Sequence, residues 1–245
     1  LNLPAYWELK KMIVAIDGPA ASGKSTAAKG VAKALNITHL DTGAMYRAVT
    51  FGLLKNEINF ADLVNVEAYL KNISLKFLKR KQVTILILND LDITDDIRSN
   101  NINENVSEVS AIKIVRKFMV KVQREMAYDN DCILEGRDIG TVVFPNADFK
   151  FFITADEKSR ARRRLNDLIE AGDKNFEEFE SVLKELNTRD HKDSTRYHSP
   201  LKKAEDAFEI DTTHLTIDEV VSKIVKIVNQ KGHYINVKWN RKWKC

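Results

Sequence analysis

Cysteine is scarce: Cys132 and Cys245 are the two in 245 residues, too few for a disulfide framework. Cys132 sits in an apolar run and reads as a small core residue rather than a nucleophile. No apolar run approaches the length of a membrane span, and no signal-peptide core opens the chain, so no membrane partner and a cytoplasmic location are expected. An excess of one charge is also largely missing. The formal net charge is +4, but residues 233–245 hold Lys238, Arg241, Lys242 and Lys244 with no acid. Setting those four aside leaves 35 basic against 35 acidic residues. A neutral body gives no support for a nucleic-acid partner. There is no internal repeat, low-complexity tract or disorder signature; 44% apolar and 30% charged residues are an ordinary globular mixture. The length is enough for one sizeable domain, with or without mobile subdomains.

What is present is an alternation of strands and helices. Residues 12–17 (MIVAID) form a short apolar strand, a glycine-bounded loop follows, and 24–35 reads as a helix with Ala27, Val31, Ala34 and Leu35 apolar. Residues 43–55 continue as a second helical stretch. Residues 74–88 read as two strands around a Lys-Arg-Lys turn, a hairpin on a different subdomain. Val109, Ile112, Val115, Met119, Val122 and Met126 recur every three or four positions and predict one long helix over 108–128. Residues 132–136, 149–155 and 208–211 read as strands, with helices over 156–171, 176–190 and 217–230. This order predicts an α/β fold, a parallel sheet covered by helices on both faces. Residues 1–11 and 233–245 read as extensions. Tyr234, Trp239 and Trp243 among basic residues would suit RNA or a lipid surface, but nothing else in the chain supports such a partner.

Gly18, Pro19, Ala20, Ala21, Ser22, Gly23, Lys24 and Ser25, followed by Thr26, fit the phosphate-binding pattern G-x-x-x-x-G-K-[ST] between a strand and a helix. Small residues let backbone N–H groups approach phosphates, and the helix N-terminus adds partial positive charge there. Lys24 would bridge the β- and γ-phosphates and Ser25 would ligate Mg²⁺. The motif indicates a nucleoside triphosphate site without separating kinase from GTPase or ATPase. Thr42, Tyr46 and Arg47 then place a hydroxyl, an aromatic ring and a guanidinium on one stretch, and Arg47 could grip a phosphate bidentately. Taken alone, that stretch also reads as a surface helix with one solvated arginine. Arg137-Asp138 follows directly on a buried strand, where open α/β sheets place ligands; the bland alternative is a surface ion pair.

DGPAASGKST (17–26), LDTGAMYR (40–47), EGRDIGTVVFP (135–145) and RDHKDSTRYHSPL (189–201), in this order, resemble the bacterial-type cytidylate kinases, P-loop nucleoside monophosphate kinases. The resemblance spans about residues 12–232. It implies a P-loop NTPase core over 12–42, 106–155 and 176–232. It also implies an inserted monophosphate-binding subdomain at 43–105 and a helical lid at 156–175. It further implies that Arg47, Arg137 and Arg196 hold the acceptor phosphate, that Thr42, Arg116 and Asp138 read cytosine, and that Ser107, Arg189 and Asp193 contact the ribose, with Tyr46 also in that site. Position 42 is Thr where the family often has Ser, so the hydroxyl survives. In the basic cluster SRARRRLNDL (159–168), Arg160 and Arg164 would reach the transferred phosphoryl beside Lys24 and Arg137. The turn DTTHL (211–215) would pack on adenine.

The implied reaction is in-line transfer from ATP, with Mg²⁺, to CMP or dCMP within pyrimidine metabolism, by a monomer. A phosphate oxygen is already anionic at neutral pH, so positioning and charge neutralisation suffice. The nearest rival is a P-loop kinase for another small acceptor such as UMP or a hydroxyl compound. A GTP-dependent switch would carry a guanine-reading N-K-x-D motif, which is absent. A nucleic-acid binder using the tail and lid arginines is opposed by the neutral body.

Overall fold

The computed structural model describes residues 11–80, 83–170 and 178–242, with 79–80, 83–84 and 231–242 as backbone alone. The expected extension over 1–10, Lys81 of the hairpin turn, lid residues 171–175, and Trp243 and Cys245 lie outside the described residues.

The apolar run Ile13–Asp17 forms β1, and after the glycine-bounded loop the chain enters α1 (Lys24–Leu35). Next come β2 (Thr38–Asp41), α2 (Thr42–Lys55) and α3 (Leu63–Asn72). An antiparallel hairpin of β3 (Leu75–Arg80) and β4 (Val83–Leu88), flanked by β5 (Leu91–Asp92), makes a separate three-stranded sheet. Helices α4 (Asn100–Ala111) and α5 (Lys113–Ala127) lead to β6 (Cys132–Gly136), a π-helical turn at Ile139–Val143, and β7 (Phe149–Thr154). The chain ends through α6 (Glu157–Glu170), α7 (Phe179–Thr195), β8 (Phe208–Asp211) and α8 (Ile217–Lys242).

The main sheet is parallel throughout, ordered β2-β6-β1-β7-β8. Both faces are buried, which is why its strands read as continuous apolar runs. On one face Val14, Ile16, Ile133, Phe151 and Ile210 pack against Val31 of α1 and Ile224 of α8. On the other, Ala15, Leu40 and Leu134 meet Ala127 of α5 and Val143 of the π-helical turn. This is the P-loop α/β architecture expected from the alternation. A further core joins Met45 and Val49 of α2, Val66 of α3, Leu86 and Leu88 of β4, Val109 of α4 and Met119 of α5. Fully burying each such side chain contributes roughly 1.5–3 kcal/mol.

Several elements differ from expectation, α3 and β5 among those the sequence reading does not contain. The long helix predicted over 108–128 is two helices broken at Ile112, whose ψ of 123 is extended. Val109, Val115 and Met119 all reach one core despite the break, so the apolar spacing carries no trace of it. The freed carbonyl of Ser110 accepts from Arg116 Nη1 at 3.0 Å. Strand β2 was not predicted, because THLD is four residues with one buried side chain. Helix α7 runs Phe179–Thr195, ending beyond the expected 190; the expected residues 176–177 lie outside the described residues. Helix α8 runs to Lys242 rather than 230. No proline interrupts it, and a lone Gly232 costs only about 1 kcal/mol in a helix.

Candidate active site

Strand β1 lies where the chain order reverses across the sheet, the place where open α/β sheets bind ligands beyond their strand ends. The loop that leaves it is shaped by its glycines. A Cβ on Gly18 would sit 2.1 Å from the Ile153 carbonyl oxygen, so only glycine passes under β7. Gly23 caps α1 with φ 86, the left-handed region that favours glycine. Lys24 Nζ donates to the Pro19 carbonyl at 3.0 Å. Burial, and secondarily Arg137, lowers its pKa to about 7. Ser25 Oγ donates to Glu135 at the end of β6, and His39 Nε2 lies 3.1 Å from the other Glu135 oxygen. Burial pushes Glu135 up, but His39, Lys24 and Ser25 outweigh it and hold the carboxyl below its usual range. Burial and the neighbouring Glu135 carboxylate together push Asp41 up.

Asp41 also caps α2, accepting from Ala44 N at 2.9 Å. That cap starts the helix at Thr42, whose hydroxyl donates to the Glu135 carbonyl at 2.6 Å, and brings Tyr46 and Arg47 to the same side. Arg47 donates to Asn103 of α4. Arg116 pairs with Asp138 at 2.5 Å and stands 5.3 Å from the centre of the Tyr46 ring. Asp193 gathers two more arginines, Arg137 at 2.9 Å and Arg196 at 3.5 Å, and Arg196 is 4.0 Å from Asp138. Burial raises Asp193, but Arg137, Arg196 and Arg189 bring it below the ordinary carboxylate range. Arg189 is half-buried, and its buried Nε is unpartnered among the described residues. Burial lowers Arg189, with Arg137 adding to it, and lowers Arg196, with Arg116 adding to it.

A cavity of about 500 Å³ joins the two halves. Ten basic and six acidic side chains line it, a surplus of four positive charges that suits an anionic ligand. Of the phosphate-loop residues, Ala20, Ala21, Gly23, Lys24, Ser25 and Thr26 line it; Gly18, Pro19 and Ser22 lie behind the lining. Thr42, Tyr46, Arg47, Ser107, Arg116, Arg137, Asp138, Arg189, Asp193 and Arg196 all line the same cavity. Arg164 lines it as expected, together with Arg163. Arg160 departs from expectation. It is 6% exposed, is not among the lining residues, and is anchored to Asp190 and to the Ala20 and Ala155 carbonyls. The register of α6 explains this: Arg160 and Ala161 face inward onto the phosphate loop and α7. The turn at 211–215 also lies outside the lining, with buried Thr212 donating to the Ser22 carbonyl at 3.0 Å and accepting from Arg163 Nη1 at 2.9 Å.

Several participants escaped the sequence reading. Glu135 is an acid closing an apolar strand beside β1, a signal that was available. Asp17 ends β1 in the same manner and accepts from Ile139 N at 2.8 Å and Gly140 N at 2.7 Å, tying β1 to the turn after Asp138. Burial, opposed by those two donors, raises Asp17 to about 6. Arg163 and Asp190 carried no signal separating them from neighbouring charges on their helices. Among the described residues no cluster of three or more His, Cys, Asp or Glu forms a ready metal site, and no helix is long and apolar enough to cross a membrane.

The profile of the cytidylate kinase family matches residues 14–230. The chain is 52% identical over 223 residues to a cytidylate kinase of Fusobacterium nucleatum subsp. nucleatum, covering 91% of this chain and 99% of that protein. It is 45% identical to the cytidylate kinase of Halalkalibacterium halodurans over 91% of this chain and 100% of the relative. It is 46% identical to that of Lactobacillus johnsonii over 90% and 95%.

Proposed function

The chain belongs to the cytidylate kinase family and is a nucleoside monophosphate phosphotransferase; from that premise we propose that it carries the γ-phosphoryl group of ATP onto CMP and dCMP, giving CDP and dCDP for pyrimidine nucleotide metabolism in the cytoplasm. The observation that supports this reading best is the single cavity, with the phosphate loop at one end and the Arg116–Asp138 and Arg137–Asp193 pairs at the other. One ligand needs a triphosphate cradle, the other a pocket for a phosphate and a polar base edge.

On this reading the acceptor's phosphate is gripped by Arg47, Arg137 and Arg196. Thr42, Arg116 and Asp138 meet the cytosine edge, Tyr46 lies under Arg116, and Ser107, Arg189 and Asp193 lie along the sugar. The phosphate loop holds the donor with its backbone, and Lys24 neutralises charge between β- and γ-phosphates. Burial of Lys24 strengthens that interaction because little water competes. The acceptor oxygen is anionic already, so no side chain has to remove a proton. Arg164, with Arg163 beside it, faces the space between donor and acceptor from the lid helix, and closure of that helix excludes water. We assign the core to 12–42, 106–155 and 176–232, the monophosphate-binding insert to 43–105 and the lid to 156–175, and propose that the enzyme acts as a monomer on nucleotides rather than nucleic acid.

The donor set at the end of the loop fits Mg²⁺. The Ser25 hydroxyl and the ionised Glu135 carboxylate are hard oxygen ligands in contact with each other. Ser25 would hold the ion with Glu135 beside it, and the ion would supply charge neutralisation at the β- and γ-phosphate oxygens.

Coupled ADP release across a panel of monophosphates tests the reading. CMP and dCMP should be turned over far faster than UMP, AMP or GMP. Equal or greater turnover of another acceptor would replace the substrate assignment, and no turnover of any would remove the kinase reading.

A further inference from the structure

Ala20 stands at the apex of the phosphate loop, and both polar atoms of its peptide groups are held from outside the loop. Its N–H donates to Asp190 Oδ1 at 3.1 Å, and its carbonyl accepts from Arg160 Nη1 at 3.2 Å. The same Arg160 nitrogen donates to Asp190 Oδ2, closing a ring of three contacts. Arg160 Nε is fastened to the Ala155 carbonyl, just past β7, at 3.1 Å. The Ala20 methyl packs with Ala161 of α6 and with Val182 and Leu186 of α7. Two helices therefore meet the loop at one residue through a charged pair.

Helix α7 gives this contact its reach. Arg189, Asp193 and Arg196 follow one another at four and three positions, so they share a face, and all three line the cavity at the acceptor end. Asp190 is one position on from Arg189, about 100° around the helix. It faces the phosphate loop, whereas Arg189 faces the cavity. One helix thus lines the acceptor end of the cavity on one side and holds the phosphate loop on the other.

We propose that Asp190 and Arg160 form a positioning pair that sets the phosphate loop for ATP, with Arg160 acting through Ala20 rather than at the transferred phosphoryl. The proposal rests on the donor-site reading given above. The Ala20 N–H is engaged by Asp190, so the pair fixes which loop donors point at a phosphate. Removing Asp190 leaves the buried Arg160 charge uncompensated, removing Arg160 leaves the half-buried Asp190 carboxylate without its counter-ion, and either change releases one side of the loop.

The test compares Asp190→Ala, Arg160→Ala, the double variant, Asp190→Asn and Arg160→Lys. The primary readout is the equilibrium Kd for a fluorescent N-methylanthraniloyl ATP, which needs no acceptor chemistry. Each alanine variant should weaken it about tenfold or more, the equivalent of one lost charge-assisted hydrogen bond. The KM for CMP should move by no more than about threefold, since the cavity-facing side of α7 is untouched. The double variant should be no worse than the weaker single one, because the two residues act as a unit. Asp190→Asn keeps an acceptor for the Ala20 N–H and should recover part of the affinity, so the test survives if Asp190→Ala does not fold. A loss of kcat in Arg160→Ala with ATP affinity intact, and no effect of Asp190→Ala, would overturn the proposal and return Arg160 to the phosphoryl. Lowered melting temperatures with unchanged ATP affinity would overturn it too, leaving a purely structural ion pair. Failure of the native protein to phosphorylate CMP would strike the substrate reading alone, since the ATP titration still decides the pair.

Discussion

Exchanging Asp138 for Asn probes base recognition with a change of one heavy atom. Asp138 is 3% exposed. One oxygen accepts from Arg116 at 2.5 Å and the other lies 4.0 Å from Arg196. Arg137, its neighbour in sequence, is paired with Asp193 at 2.9 Å instead, so orienting Arg137 is not its task. Cytosine offers an amino donor at N4 and an acceptor at N3, and uracil offers the reverse. Asp138 can accept from the amino group while Arg116 donates to the ring nitrogen. With UMP, a carboxylate would face a carbonyl oxygen and a guanidinium an N–H, both buried. At about 1.5–3 kcal/mol for each hydrogen bond to a charged group, two mismatches amount to roughly two to four orders of magnitude in kcat/KM. The native enzyme should show that preference for CMP. In Asp138→Asn the amide can donate to O4, so the preference should shrink by about one to two orders of magnitude, from the one contact altered. Initial rates for CMP and UMP on both proteins supply the four values of kcat/KM. If Asp138 is only a countercharge for Arg116 and Arg196, both substrates lose in the same proportion. An unchanged CMP/UMP ratio would therefore refute base reading by this residue.

Lys24→Met should lower kcat by about two or more orders of magnitude, as removal of one preorganised charge does, without unfolding the protein, since it removes a desolvated amine; near-native turnover would take the phosphate loop out of the chemistry. Asp17 has its folded pKa raised to about 6, mainly by burial. Folding therefore takes up a proton there, and the stability this contributes is full below the unfolded value of 3.8 and lost as pH rises through about 6. Urea unfolding of the native protein and Asp17→Asn between pH 4 and 7.5 should show the native protein's relative stability falling by at most about 3 kcal/mol over that window and level above it; a difference independent of pH would contradict the raised pKa. CMP at a hundred times its Kd should stabilise the fold by about 2.7 kcal/mol, read as a rise in melting temperature that UMP at the same concentration does not produce. A chain ending at Gly232 should keep its activity, because it retains Val220, Ile224 and Val228, through which α8 packs on the main sheet; a large loss of turnover would give 233–245 a role.

The phosphate loop was legible because it is local: spacing, small residues and flanking elements all lie within about one strand and one helix. The alternation was legible because both sheet faces are buried, which makes each central strand an apolar word. The break at Ile112 was not, since no glycine or proline marks it and Val109 and Val115 keep their spacing across it. What decides it is a tertiary contact, Arg116 turning back to Ser110 and Asp138. Arg116 itself could be chosen over Lys113 and Lys117 only through the family resemblance. The lid cluster failed differently. Arg160 and Arg164 are one turn apart and were given the same role, yet Arg160 sits where α6 meets α7 and finds Asp190 before it can reach the cavity. Which charge on a helix faces a site and which is tied into the frame depends on its neighbours, and a charge pattern alone does not contain them.

The three lowered arginines of the cavity share one cause. Burial lowers Arg47 to about 10, with Arg189 next in importance, and Arg189 and Arg196 are lowered by burial and by other arginines. Like charges in a poorly solvated cavity oppose compactness. The fold tolerates them because Asp138 and Asp193 stand between Arg116, Arg137 and Arg196. Those two acids do not cancel the surplus, and Arg189 Nε is left with no acceptor among the described residues. A ligand bearing phosphate supplies the missing negative charge and the missing acceptors together. Affinity and stabilisation therefore come from the same contacts: groups that weaken the empty protein are those that would bind most strongly once a phosphate is among them.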